Sequence, residues 1–287
     1  MNKNLEKIVW LASYPKSGNT WFRIFLSNLF SQSQEPVDIN EILNSNIASN
    51  RNLFDKLTGV NSSDLSDDEI EILRPEVYRE LASGLSEPLY MKVHDAWSLN
   101  SRGEPLFPSE VTSGVVYFIR NPLDVAVSFA NHDSILTIDS LNSLNRSDFS
   151  LCGNPEKLSN QFKQKLLSWS EHVTSWIDHS CLPVHVIRYE DMLSTPEETF
   201  TRACEFLNLN FNSAEVRAAV KSSSLEVLQE QEAQFGFKEK PSGVGSFFQD
   251  GRTGSWGEHF DISQVEQFME KNRSVMQRFG YYQNHME

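Results

Sequence analysis

Apolar residues cluster in four short runs, at positions 8–12, 89–93, 115–119 and 184–188. Runs this short suit strands buried in a parallel sheet. Longer stretches with helical spacing separate or follow them. The first helix is expected over 19–30. Asn121 is placed to cap the next, with Pro122 at its first position. Residues 158–179 read as one long periodic segment with Trp169 and Trp176 on a single face. Thr195-Pro196-Glu197-Glu198 has the form of a capping box with proline at the first helical position, opening a helix to about Leu207. Ser263-Gln264-Val265-Glu266 has the same form, and its helix should run to Phe279 and stop at Gly280. Strands alternating with helices predict an α/β fold, a central parallel sheet with helices on both faces.

Three polar stretches interrupt this pattern. Residues 31–87, with an acidic run at 64–71 that reads as a solvated face, and residues 131–157 both read as solvated loops and surface helices, or as loops that could wall an acceptor pocket. Residues 229–249 carry Gly236, Gly243 and Gly245 and suit a mobile flap. No internal repeat is visible. The expectation is a single domain over 1–287.

Composition narrows the partners. A net charge of −14 argues against a nucleic-acid binder, which needs a basic face, and makes an anionic polymer an awkward acceptor. Three cysteines, Cys152, Cys181 and Cys204, show no CxxC spacing, so neither a disulfide framework nor a zinc site is expected. No apolar span approaches membrane length, and the opening run is too short for a signal-peptide core. Cytoplasmic residence without membrane attachment is the simple reading.

The candidate chemistry begins after the first run. Tyr14-Pro15-Lys16-Ser17-Gly18-Asn19-Thr20-Trp21 joins a strand to a helix through a loop rich in hydroxyl and amide groups. Such a turn offers backbone N–H groups and a helix N-terminus to a phosphate. It lacks the Gly-Lys-Ser/Thr order of a Walker A loop. Arg120 leaves the third strand, and Ser128 lies two turns into the following helix, where both could reach one phosphate. Asp124, one turn earlier, is an alternative partner for Arg120. His94 closes a strand, where open α/β sheets place their ligand crevice, and a neutral imidazole can take a proton there.

The loop at 14–21 resembles the 5′-phosphosulfate loop of soluble, cytosolic-type sulfotransferases. The block Val115–Ser128 resembles the family's 3′-phosphate motif. The block Phe247–Phe260 is similar to its C-terminal motif, and Tyr189-Glu190-Asp191 lies between the last two. The resemblance implies a P-loop-NTPase-like sulfotransferase fold. It also implies 3′-phosphoadenosine 5′-phosphosulfate (PAPS) as donor, its desulfated product PAP, and no required metal. It makes Lys16 the catalytic lysine and matches Lys92 and His94 to a Lys-x-His segment, with His94 as general base. It places Ser17, Gly18, Asn19 and Thr20 on the 5′-phosphate, and Trp21 on the adenine. Arg120 and Ser128 fall on the 3′-phosphate. Tyr189 and the segment Ser223, Ser224 and Leu225 lie beside the adenine, and Phe248, Gly251 and Arg252 belong to the closing motif.

The chain departs from the family where an Arg-Lys pair is usual and Gln249-Asp250 stands instead. Arg252 is the nearest cation that could replace the lost charge. The expected acceptor is a small hydroxyl or amine compound, neutral or cationic given the acidic balance. A natural product such as a saxitoxin-type guanidinium alkaloid is one candidate. The alternatives are a catalytically idle nucleotide sensor of the same fold and a P-loop-type kinase. Lys16 and His94 together favour the enzyme, since a sensor needs neither.

Overall fold

In a computed structural model, residues 7–42, 46–133, 135–154, 156–241, 243–249 and 251–282 are described. In chain order the strands are β1 (Ile8–Ser13), β2 (Leu89–Val93), β3 (Thr112–Ile119), β4 (Ser150–Leu151), β5 (Gln164–Lys165) and β6 (Val184–Arg188). The α-helices are α1 (Asn19–Ser31), α2 (Arg51–Thr58), α3 (Asp67–Ser83), α4 (Pro122–Asp133), α5 (Thr137–Ser143) and α6 (Trp169–Thr174). They continue with α7 (Tyr189–Ser194), α8 (Pro196–Phe206), α9 (Ser213–Ser222), α10 (Leu225–Phe235), α11 (Ile262–Lys271) and α12 (Arg273–Arg278).

The four expected strands form one sheet in the order β2-β1-β3-β6. β1 and β2 run parallel, with Ile8 opposite Leu89 and Ala12 opposite Val93. Every residue of β1 is buried, which is why its sequence is apolar from Ile8 to Ala12. The chain leaves β1 toward one neighbour and returns to the other, so the order reverses at β1. Such switch points open ligand crevices beyond the carboxyl ends of the strands. The loop at 14–18, His94 and Arg120 follow the ends of β1, β2 and β3 respectively.

The chain forms two units, each assembled from separate segments. The first comprises Met1–Tyr14, Asn46–Tyr117 and Arg146–His185. Its core is aromatic: Trp10 meets Tyr78 and Phe107 edge-on with centroids at 5.0 Å, and Phe107 meets Trp176 at 4.9 Å. The second comprises Pro15–Ser45, Phe118–Asn145 and Val186–Glu287. There Phe22 packs on Phe118 at 5.1 Å and Phe25 on Phe200 at 4.4 Å.

Several local expectations change. Residues 158–179 are not one helix. Their first part is extended, pairing β5 against β4 and bonding the Phe162 N–H to the Ser49 carbonyl. Helix begins only at Trp169, behind a capping box of Ser168 and Glu171, and turns π-helical over Ser175–His179. Trp169 and Trp176 are both fully buried, as their spacing suggested. The Thr195 box does not form, because its hydroxyl bonds back to the Asp191 carbonyl; Pro196 still opens α8. The last box is Asp261 with Gln264, starting α11 earlier than Ser263 would. That helix breaks at Asn272, whose side chain bonds the Phe268 carbonyl and Asn145. The acidic run opens α3 with a Ser66–Glu69 capping box, where negative charge suits the helix dipole.

Candidate donor site and general base

In the second unit, the donor loop is shaped by its backbone. Lys16 has φ 70° and Gly18 φ 99°, both left-handed. At Gly18 a Cβ would lie 2.9 Å from Tyr189 Cδ2 and 3.3 Å from Met192 Sδ, so only glycine fits. Gly18 caps α1 without a side-chain bond, leaving the N–H groups of the first turn directed outward from the helix. Ser17 Oγ is buried and makes no hydrogen bond. A buried hydroxyl beside a helix N-terminus fits a phosphate oxygen. Asn19 is buried and Thr20 half-buried in that first turn. The Lys16 ammonium lies 4.5 Å over the ring of Phe247.

Arg120 ties three segments together. Its Nη1 donates to the Lys16 carbonyl and its Nη2 to the Arg252 carbonyl, each at 3.2 Å. Its guanidinium stacks over Tyr189 at 4.2 Å, and its buried Nε makes no hydrogen bond. The donors left over suit a second phosphate. Ser128 is half-buried on α4, among buried neighbours. Asp124 instead accepts from Gly254 N at 2.8 Å, Trp256 N at 3.3 Å and Ser255 Oγ at 3.4 Å. It thereby anchors the closing motif.

The residues expected beside the adenine also meet. The Trp21 indole N–H donates to the Ser223 carbonyl at 2.7 Å, and its ring stands edge-on to Tyr189 at 6.2 Å. The Ser223 hydroxyl is itself buried and donates to the Ala219 carbonyl. Ser224 caps α10. Phe248 is buried in an apolar cluster with Ile24 and Leu228, against which Trp21, Leu225 and Phe247 pack. Gly251 has φ 61°, and a Cβ there would lie 2.7 Å from Leu225 Cδ2. Arg252 is exposed, and Asp250 lies outside the described residues. A polar cavity of about 290 Å³, lined among others by Asn121, Asp124, Arg188, Glu190 and Tyr281, contains none of the predicted donor residues.

Glu232 is a residue the sequence reading missed. Its carboxylate accepts from the N–H groups of Phe247 at 2.8 Å and Phe248 at 2.9 Å, and pairs with Lys240 at 3.0 Å. It therefore pins part of the expected flap, whose beginning is α10. Its place three residues after Gln229 in a polar stretch gave no signal.

In the first unit, His94 is half-buried just past β2, and Lys92 is half-buried two residues earlier. His94 Nδ1 lies 2.9 Å from the Ser13 carbonyl oxygen. A carbonyl only accepts, so Nδ1 carries the proton and Nε2 is the basic atom of the neutral ring. The following residues are held from several sides. Asp95 forms a buried, bidentate pair with Arg74 at 2.8 and 3.0 Å. Its carbonyl accepts from the Trp176 indole at 2.9 Å, Ala96 N donates to the Lys165 carbonyl at 2.7 Å, and Trp97 N to Ser175 Oγ at 3.1 Å. The His94 carbonyl lies 3.0 Å from Nε2 of His172. None of these supports was expected from the sequence. Of the three loops, Lys16 and Arg120 fall in the second unit and His94 in the first. Among the described residues, no group of three or more His, Cys, Asp or Glu side chains is placed to hold a metal ion.

Comparison with known proteins places these residues in context. The family model for the sulfotransferase domain matches residues 6–280. The rat protein Sulfotransferase 2A6 is 26% identical over 273 residues, covering 92% of this chain and 82% of its own. A guinea-pig 3-beta-hydroxysteroid sulfotransferase is 28% identical over 177 residues, 57% of each chain. The crystal structure of retinol dehydratase in a complex with retinol and PAP superposes with a TM-score of 0.61 at 18% identity, covering 94% of this chain and 81% of that one.

Proposed function

This chain belongs to the sulfotransferase family and is a PAPS-dependent enzyme of the P-loop-like sulfotransferase fold, and on that premise we propose that it moves a sulfuryl group from PAPS to a hydroxyl or amine of a small molecule. The family match counts against the kinase, and the presence of both Lys16 and His94 favours transfer over an idle sensor of the same fold. The observation that carries the site assignment is the pair of buried, unbonded donors Ser17 Oγ and Arg120 Nε beside the two phosphate motifs.

In this reading Ser17, Gly18, Asn19 and Thr20 hold the 5′-phosphate. Arg120, Ser128 and Arg252 hold the 3′-phosphate, with Arg252 replacing the missing Arg-Lys pair. Trp21, Tyr189, Leu225 and Phe248 bound the adenine, Ser223 acting through the carbonyl that fixes Trp21, and Ser224 and Gly251 shaping the backbone. The acceptor O–H or N–H gives its proton to His94 Nε2. The acceptor atom bonds to sulfur as the bond from sulfur to the 5′-phosphate oxygen breaks. Lys16 stabilises the charge that grows on that oxygen, and Lys92 supplies further positive charge near His94. Phe247 steers Lys16, because the ring under the ammonium restricts where it points. The residues 1–287 act as one sulfotransferase domain, cytoplasmic in residence.

The acceptor is small and neutral or cationic, since a net charge of −14 disfavours anions. The named relatives suggest alcohols such as hydroxysteroids, and a saxitoxin-type guanidinium alkaloid is the amine-side candidate. The test is incubation with PAPS and a panel spanning hydroxysteroids, retinoid alcohols, guanidinium alkaloids and aryl amines, read by mass spectrometry. One class should gain SO₃, in EDTA as well as without it. Lys16→Ala should lower turnover about 100- to 1,000-fold while PAP still binds. His94→Ala should stop transfer with PAP affinity intact. Turnover of Lys16→Ala above half of wild type removes Lys16 from the mechanism.

A further inference from the structure

His172 lies on α6, fully enclosed, and its two ring nitrogens have different partners. Nε2 is 3.0 Å from the His94 carbonyl oxygen, and Nδ1 is 2.7 Å from the Tyr117 hydroxyl. The carbonyl only accepts, so Nε2 carries the proton. In the neutral ring Nδ1 then accepts from the Tyr117 O–H, which fixes both tautomer and orientation. The ring of Tyr14 meets the imidazole edge-on at 5.3 Å, closing a further side.

The location gives this arrangement its meaning. The β1–β2 ladder ends with Ala12 opposite Val93, one residue before His94. The His94 carbonyl therefore lies beyond the last ladder partner, and the His172 N–H serves as its donor. The His94 side chain is tied separately, through Nδ1 to Ser13. We propose that His172 is a positioning residue for sulfuryl transfer: its N–H to the His94 carbonyl fixes the peptide from which the His94 imidazole projects. The proposal rests on the reading of His94 as the base. With that bond lost, the peptide that carries His94 loses a donor beyond the end of the ladder, and the ring can shift about its Ser13 tether. Desolvation holds the His172 pKa down at about 4, so the ring stays neutral at working pH and takes no part in the proton transfer.

The experiment is a double-mutant cycle in kcat with calorimetric PAP affinity as control. His172→Phe should lower kcat about 10- to 100-fold, the scale of a small misplacement of a reacting group, with PAP affinity little changed. His172→Gln, whose amide can donate to the same carbonyl, should recover most of that loss. In a His94→Ala background, measured by long single-turnover incubations, His172→Phe should cost nothing further. Tyr117→Phe removes only the hydroxyl that orients the ring and should show the same dependence on His94, so the test survives if His172→Phe fails to fold. The proposal is overturned if His172→Phe keeps wild-type kcat. It is equally overturned if the fold-loss is the same with and without His94, which marks a purely structural role. If His94→Ala alone retains turnover, the base reading fails first, and the positioning role fails with it.

Discussion

Around His94 the supports are mostly side chains from distant parts of the sequence, whereas around Lys16 they are mostly backbone shape. Arg74, His172, Ser175 and Trp176 converge on residues 94–97 of the first unit. In the second unit the loop at 15–18 depends on two left-handed residues, one of them a glycine with no room for a Cβ, and on the Lys16 carbonyl that receives Arg120. The difference follows from what each must do. A phosphate is held by many converging N–H groups, which a short loop supplies by itself. A base must present one nitrogen in one direction, which needs buttressing from outside the strand that carries it.

The comparison breaks most visibly at Arg74. Its pair with Asp95 is almost fully buried, with side-chain exposures of 1% and 3%. Arg74→Ala leaves a carboxylate enclosed without its partner and should cost about 3–5 kcal/mol of stability. Urea unfolding checks it, and a loss below about 1 kcal/mol means that Asp95 finds other solvation. PAP affinity of the folded protein should be unchanged, since the proposed donor residues belong to the second unit.

A second test uses pH. Burial lowers the His172 pKa from its ordinary value near 6.5 to about 4. As pH falls below 6.5 the unfolded chain takes up this proton while the native ring does not. Stability therefore falls with pH across that window, by on the order of 3 kcal/mol in total, and this contribution levels off below about pH 4. Urea midpoints at a series of pH values should show the slope in wild type and lose it in His172→Gln. An unchanged slope assigns the acid sensitivity to other groups.

The same contrast decides what was legible. The proposed donor residues stand in contiguous motifs at 14–21, 115–128 and 247–260, which a sequence displays directly, and all four sheet strands were legible as short apolar runs. His94 stood out as a candidate base because it follows an apolar run, two residues after Lys92, and the structure places it just past β2. Its buttresses did not stand out, because Arg74 and His172 belong to segments that read as a surface helix and a long amphipathic helix. That second reading failed because helical apolar spacing at 158–168 also serves an extended segment whose apolar residues Phe162 and Leu166 are buried. The last capping box misled by register, Asp261 outcompeting Ser263 two residues on.

Within the second unit the comparison sharpens at Arg252. If Arg252 and Arg120 clamp the 3′-phosphate together, Arg252→Ala should weaken PAP by about one to two decades. Adenosine 5′-phosphosulfate, which lacks that phosphate, should bind nearly as before. Calorimetric titration of both ligands reads the difference, and equal weakening would place Arg252 at the 5′ end or in the fold.

The smallest effect is expected at Glu232, where the second unit, as at Asp124, borrows the other unit's method of a buried side chain. Burial alone would raise its carboxyl, but hydrogen bonds from the Phe248 and Phe247 N–H groups, with Lys240 and Ser246, hold its pKa below the ordinary range. A depressed carboxylate contributes stability that is present above its unfolded value near 4.5 and is lost as pH falls through the lowered native value. Glu232→Gln keeps one acceptor oxygen but turns an NH₂ toward groups that are themselves donors. It should cost about 1 kcal/mol, shift the thermal midpoint by a few degrees and loosen Phe247, the ring beneath Lys16. Turnover should then fall by a modest factor while PAP affinity holds, since the role proposed for Lys16 is on charge that develops only during transfer. Loss of PAP affinity with unchanged turnover would instead make Glu232 a support for the adenine wall through Phe248, and the link from Glu232 through Phe247 to Lys16 would fail.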